Sequence, residues 1–169
     1  MNKVNQVLLV DNDLRSNSEK ENLIKQSGLS EQVKVTVNGG HALLYLDQIS
    51  HKLNDDSRVV ILLNMETPIA NGFDFLNGYK IYNGINKKNT LIIVMEDNLC
   101  TEKIEKTKGL GVCNFINSSF SIDTLNQIVD NHFNPLSIAE TGSLIPSKKK
   151  NTIKAQPPAG WTEYGQANV

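Results

Sequence analysis

The chain has 169 residues, about the size of one domain, and its formal net charge of −1 gives no electrostatic case for nucleic acid or an acidic membrane as partner. The longest apolar runs, such as residues 59–63, and shorter ones such as 7–10 are far too short to span a bilayer, and Met1-Asn2-Lys3 lacks the long apolar stretch of a signal peptide. Cys100 and Cys113 have neither metal-ligand spacing nor a disulfide framework, so the expectation is a cytoplasmic chain with reduced thiols.

In chain order, a β-branched run at 6–10 reads as a first strand, ending in Asp11-Asn12-Asp13. A helix is expected over 15–27, but residues 15–22 include no apolar side chain. Only Leu14, Leu23 and Ile24 offer it a buried face, which makes it the weakest helix of the set. A strand at 33–37 leads through Asn38-Gly39-Gly40 to a helix over 41–53. The third strand, 58–63, ends in Asn64-Met65-Glu66, and the segment after it, 72–82, has helix length but meets turn signals at Asn77-Gly78 and Asn83-Gly84. The strand at 90–95 ends in Glu96-Asp97 and precedes a helix over 98–109; the strand at 112–116 ends in Asn117-Ser118-Ser119. The last helix, 121–132, has the best signals: Ser121 can cap it, Asp123 suits its N-terminus, and Ile122, Leu125, Ile128 and Val129 form one stripe.

Beyond residue 133 the composition changes. Residues 134–169 hold four of the five prolines, the run Lys148-Lys149-Lys150 and few apolar residues, and read as a disordered tail. Trp161 and Tyr164 offer the alternative of a short docking peptide. The tail is too short for a DNA-binding output domain. The expected organisation is therefore a domain over 1–133 followed by a tail over 134–169. Five buried-strand signals alternating with helices imply right-handed βαβ units and a doubly wound (βα)5 sheet of five parallel strands, α/β and flavodoxin-like. Such a sheet places its functional groups at the carboxyl ends of the strands.

Four segments in this order resemble the receiver domain of two-component response regulators. They are Val7-Leu8-Leu9-Val10-Asp11-Asn12-Asp13, Asn38-Gly39-Gly40-His41-Ala42-Leu43, the stretch from Ile61 through Asn64 to Thr67-Pro68 and Gly72-Phe73, and the stretch from Gly111 through Phe115 to Phe120. The resemblance covers roughly residues 5–133. It implies a phosphoacceptor at position 64, an acidic pocket at positions 11, 12 and 66, switch residues at 96 and 115, and a phosphate-pairing lysine at 118. Against that pattern the chain is degenerate. Asn64 is a neutral amide and no nucleophile. Asn12 replaces a second carboxylate, which leaves Asp11, helped by Asp13 or Glu66, to support no more than a weak hydrated magnesium ion. Glu96 stands where the family has a small hydroxyl, and its carboxylate could accept from the amides of Asn12 or Asn64 or from Ser118. Ser118-Ser119 replaces a Lys-Pro pair, removing the fixed cation that would stabilise a transferring phosphoryl group. Phe115 keeps the position of the aromatic switch residue and is equally well read as a packing residue.

The expectation is thus a non-enzymatic pseudo-receiver, independent of phosphorylation, with no cofactor. Its partner would be a histidine kinase or another signalling protein, met through the face built from 98–109, 112–116 and 121–132. Glu102, Lys103, Lys106 and Lys108 are expected to be exposed there. One alternative is a working single-domain response regulator phosphorylated at Asp11, Asp13 or Glu66. The other is a flavodoxin-like ligand-binding protein or enzyme, for which neither a Gly-rich phosphate loop nor a Ser–His–Asp set is found; His41, His51 and His132 lie on helix-like segments.

Overall fold

The computed structural model describes residues 3–98 and 100–135. Most of the predicted tail, Trp161 and Tyr164 included, lies outside the described residues. Within them the elements are β1 (Gln6–Val10), α1 (Leu14–Gln26), β2 (Val33–Thr36), α2 (Gly39–Ser50), β3 (Val59–Asn64), α3 (Gly72–Ile81), β4 (Thr90–Met95), α4 (Thr101–Gly109), β5 (Asn114–Ile116) and α5 (Ile122–Phe133). All pairings are parallel and the strand order is β2-β1-β3-β4-β5. This is the expected flavodoxin-like (βα)5 arrangement.

The alternation of each strand decides which helices cover it. Leu8, Val10, Val59, Ile61, Leu63, Ile92 and Val94 share one core with Ala42 and Leu46 of α2 and Phe75, Leu76 and Tyr79 of α3. Val7, Leu9, Val60, Leu62, Leu91, Ile93 and Met95 share the other with Ile24 of α1 and Leu125 and Val129 of α5. Both sheet faces are therefore covered, which is why the central strands β1, β3 and β4 read as long apolar runs, whereas the edge strands β2 and β5 do not.

Four local expectations are corrected. The turn signal at Asn77-Gly78 does not interrupt α3, which runs unbroken from Gly72 to Ile81. Gly78 is there for close packing: a Cβ on it would stand 2.5 Å from Leu43 Cδ1 of α2. Helix α2 starts at Gly39, earlier than expected, because the Asn38 carboxamide accepts from His41 N–H as its cap. Helix α4 starts only at Thr101, since Glu96 and Asp97 are engaged in hydrogen bonds of the preceding loop. Leu14 does not help bury α1; it is 70% exposed. That helix is nevertheless a regular 13-residue element, capped by the Asp13 carboxylate, which accepts from Arg15 N–H and Ser16 N–H. Its buried residues are Asn17, Lys20 and Ile24, a stripe at i, i+3 and i+7 that is polar at two of its three positions.

Cys100 and Cys113 are free and exposed. Among the described residues no helix is long and apolar enough to cross a membrane.

Candidate functional site

Sheet register brings the strand ends together. Val10 pairs with Leu63, so the next residues, Asp11 and Asn64, stand side by side between β1 and β3, where the order of strands across the sheet reverses direction. Asn64 in turn pairs with Met95, and Glu96 N–H donates to Ile116 O, which places Glu96 beside the end of β5. This is the crevice at which doubly wound sheets bind ligands.

Asp11 is the centre of the cluster and only 3% exposed. Its Oδ1 accepts from Asn64 Nδ2 at 2.9 Å and from Asp13 N–H at 3.2 Å. Its Oδ2 accepts from Lys20 Nζ at 2.9 Å, and Lys20 is itself buried. Asn17 Nδ2 donates to the Asp11 carbonyl at 2.7 Å and ties the first turn of α1 to the strand end. Burial pushes the Asp11 carboxyl up. The Lys20 ammonium, the Asn64 amide and the Asp13 N–H together outweigh that effect and hold it below the ordinary aspartate value.

The orientation of Asn64 is set from its other side. Its Oδ1 accepts from Glu66 N–H at 2.8 Å, so its amide nitrogen must face Asp11. An aspartate in the same pose would press a carboxylate against a carboxylate.

Glu96 corrects an expectation. It does not accept from Asn12, Asn64 or Ser118, nor does it point to solvent. Its Oε2 receives Lys103 Nζ at 3.2 Å and its Oε1 receives Asn98 N–H at 3.4 Å. The same ammonium lies 2.7 Å from Glu66 Oε1, so Lys103 ties the loop after β3 to the loop after β4. The two carboxylates raise its pKa above the ordinary lysine value, Glu66 contributing most. Lys103 is therefore half-buried and turned toward the site instead of exposed on the outer face of α4.

Asn12 is exposed and makes none of these hydrogen bonds, so the predicted acidic pocket contracts to Asp11, with Glu66 on its rim. Ser118 N–H donates to Asp97 Oδ1 at 2.8 Å, and the following turn is built by Asn117, whose Oδ1 accepts from both the N–H and the hydroxyl of Ser119. Phe115 is half-buried against the core on the α2–α3 side. A cleft of about 460 Å³ opens between α1 and these loops, lined by Lys20, Leu23, Asp97, Ser118 and Phe120 among others. The histidines lie elsewhere: His41 in the first turn of α2, His51 at its C-cap and His132 in the last turn of α5.

The Pro68-to-Gly72 loop is a scaffold for the site. Gly72 N–H donates to Met65 O at 3.1 Å, and a Cβ on Gly72 would lie 2.8 Å from Met65 Cα. Gly39 N–H donates to Ala70 O, joining the start of α2 to the same loop. At its tip Ile69 is 98% exposed and has φ +69, a left-handed backbone unusual for a β-branched residue.

The residues do not fit a magnesium ion. That cation needs anionic oxygens with free lone pairs at close to 2 Å. Here both Asp11 oxygens are engaged, one of them by an ammonium, Asn64 aims its NH₂ inward, and Glu66 is bound to Lys103. Among the described residues no three His, Cys, Asp or Glu side chains are grouped to hold a metal.

Lys20 and Asn17 were not anticipated from the sequence, and Lys103 was expected only as an exposed residue of the outer face. For α1 a signal existed: counting back from Ile24 by four and seven residues gives Lys20 and Asn17 on the same, sheet-facing side.

Fold and site together define a doubly wound α/β protein with a closed polar cluster at its switch point. No protein-family model matches the chain, and no curated protein matches it in sequence. Solved structures do match its fold. The two-component response regulator from Cytophaga hutchinsonii aligns with a TM-score of 0.66 at 18% identity, covering 79% of this chain and 99% of that one. The response regulator receiver protein from Dyadobacter fermentans gives 0.64 at 19% identity, covering 76% and 97%. The chemotaxis response regulator CheY4 of Vibrio cholerae gives 0.60 at 21% identity, covering 77% and 99%. The chain has the fold of the response-regulator receiver domain.

Proposed function

We propose that the protein is a receiver-like module of two-component signalling that acts in the cytoplasm through protein contacts, without phosphoryl transfer and without a bound cofactor. The observation that carries this reading is the Asn64–Asp11 contact. The position of the nucleophile holds an amide, and that amide is committed on both sides, to Asp11 and to Glu66 N–H. The remaining groups support it. Glu96 is an anion where a phosphoryl oxygen would need a hydroxyl, and Ser118 supplies no ammonium. The partner would be a histidine kinase or another signalling protein, met on α4, β5 and α5. There Glu102, Glu105, Lys106 and Lys108 are exposed with mixed signs, which favours selective contacts over general attraction to one charge.

The test is incubation with acetyl phosphate and Mg²⁺, read by intact mass, alongside beryllofluoride, read by amide NMR shifts. The wild-type chain should show neither adduct nor shifts. The single change Asn64→Asp should not restore phosphorylation, because position 96 still lacks the hydroxyl and position 118 the lysine. A stable Mg²⁺-dependent adduct on the wild type would overturn the proposal, and its mapped position would report whether Asp11, Asp13 or Glu66 had taken the phosphoryl group.

A further inference from the structure

We infer that the Lys20 ammonium stands in for the divalent cation of a receiver-type pocket, so that the pocket's central carboxylate is neutralised by the chain itself. The inference rests on the reading above and explains why the pocket carries an amide at position 64.

A carboxylate buried as deeply as Asp11 needs a counter-charge. The cation that supplies it belongs to α1. Lys20 reaches the pocket because the Asp13 cap starts the helix at the strand end, and the Asn17 carboxamide fastens its first turn to the Asp11 carbonyl. One turn further on, the lysine stem is buried and its Nζ meets Oδ2. The charge count then closes: one inner carboxylate, one inner ammonium. A second carboxylate at position 64 would stand about 2.9 Å from the first with a single ammonium to share. The amide avoids that repulsion and also donates to Asp11. The outer carboxylates follow the same pattern, since Glu66 and Glu96 converge on Lys103. The loss of the nucleophile and the inward lysine are thus two halves of one arrangement. Lys20 is a positioning residue in it, with no role in any reaction.

The experiment uses the full-length ¹⁵N-labelled chain with Mn²⁺ as the probe, read by paramagnetic broadening of amide signals. The wild type and Asn64→Asp, both retaining Lys20, should show no selective broadening of residues 11–13 and 64–66. The pair Asn64→Asp with Lys20→Met should show it at a Mn²⁺ concentration about tenfold or more below any that affects Asn64→Asp alone. If the double variant folds only on adding Mn²⁺, seen by circular dichroism, that also supports the inference. If it does not fold at all, the two Lys20-containing proteins decide: selective broadening in either overturns the inference, and its absence in both supports it. Equal broadening in Asn64→Asp and the double variant likewise overturns it. A phosphoryl adduct on the wild type would instead sink the earlier reading, and the mass measurement reports it separately.

Discussion

Removing the Lys20 ammonium tests the centre of the site most directly. Lys20→Met keeps a long apolar stem in the same slot and deletes only the charge. At 2.9 Å, with an effective dielectric of ~20, the lost attraction is about 6 kcal/mol. The wild-type pair has already lost much of that to desolvation, so the measurable quantity is the cost of stranding the partner, typically about 3–5 kcal/mol. Asp11 keeps its hydrogen bonds from Asn64 and the Asp13 N–H, which puts the expected loss at the lower end, about 3 kcal/mol. That is a large fraction of a domain stability of roughly 5–15 kcal/mol. Urea denaturation followed by far-ultraviolet circular dichroism measures it, with the midpoint falling at constant slope. The double change Lys20→Met with Asp11→Asn removes both charges and leaves an amide oxygen for the same two donors. It should recover to within about 1 kcal/mol of wild type. A loss below about 1 kcal/mol for Lys20→Met, or a double variant as unstable as the sum of its singles, would refute the claim that a buried ion pair organises this pocket.

Three further outcomes follow from the same structure. Because the Asp11 carboxyl is held below its ordinary value, its contribution is complete above about pH 4 and is lost as pH falls through the depressed folded value. The urea midpoint of the wild type should therefore fall on acidification below about pH 4, and the Lys20→Met, Asp11→Asn double variant should lose that part of the dependence. Gly72→Ala should destabilise by about 1–3 kcal/mol despite alanine's better helix propensity, since its Cβ would meet the Met65 backbone, which cannot swing aside; urea melts report it. Ile69→Asn should raise the thermal midpoint by a few degrees, corresponding to about 0.5–1 kcal/mol, because the exposed side chain packs on nothing and asparagine tolerates the left-handed backbone.

How much of this was legible in the sequence depends on what each residue's neighbours reveal. The strands were, because both faces of the sheet are covered and the central strands β1, β3 and β4 are apolar along nearly their whole length; β1 and β4 fall on the expected residues. The ends of the strands were legible too, since a polar residue closing an apolar run marks the carboxyl edge, and Asn64 and Asp11 do meet there. The helices were less so. Gly78 reads locally as a turn and is in fact a close contact between α2 and α3, which only the tertiary structure creates. The hydrogen-bond partners of Glu96 were misassigned because its lysine comes from the first turn of α4, and charge on a solvated helix face usually means nothing.

Helix α1 shows where a sequence reading stops and what would extend it. Judged by apolar content the segment looks weak, since a face of Asn17, Lys20 and Ile24 has one hydrophobic residue in three. Judged by position, that face is fixed by Ile24 and must lie on the sheet, so its polar members have to find partners beneath the helix. At the start of α1 the available acceptors are the backbone and carboxylate of Asp11 at the end of β1, and both are used. A lysine at such a position in a (βα)5 chain therefore points to an anion at the first strand end. An amide at the end of the third strand says that this anion is single. The two positions lie far apart in the chain, and each is unremarkable alone; taken together they specify a pocket closed on its own charges.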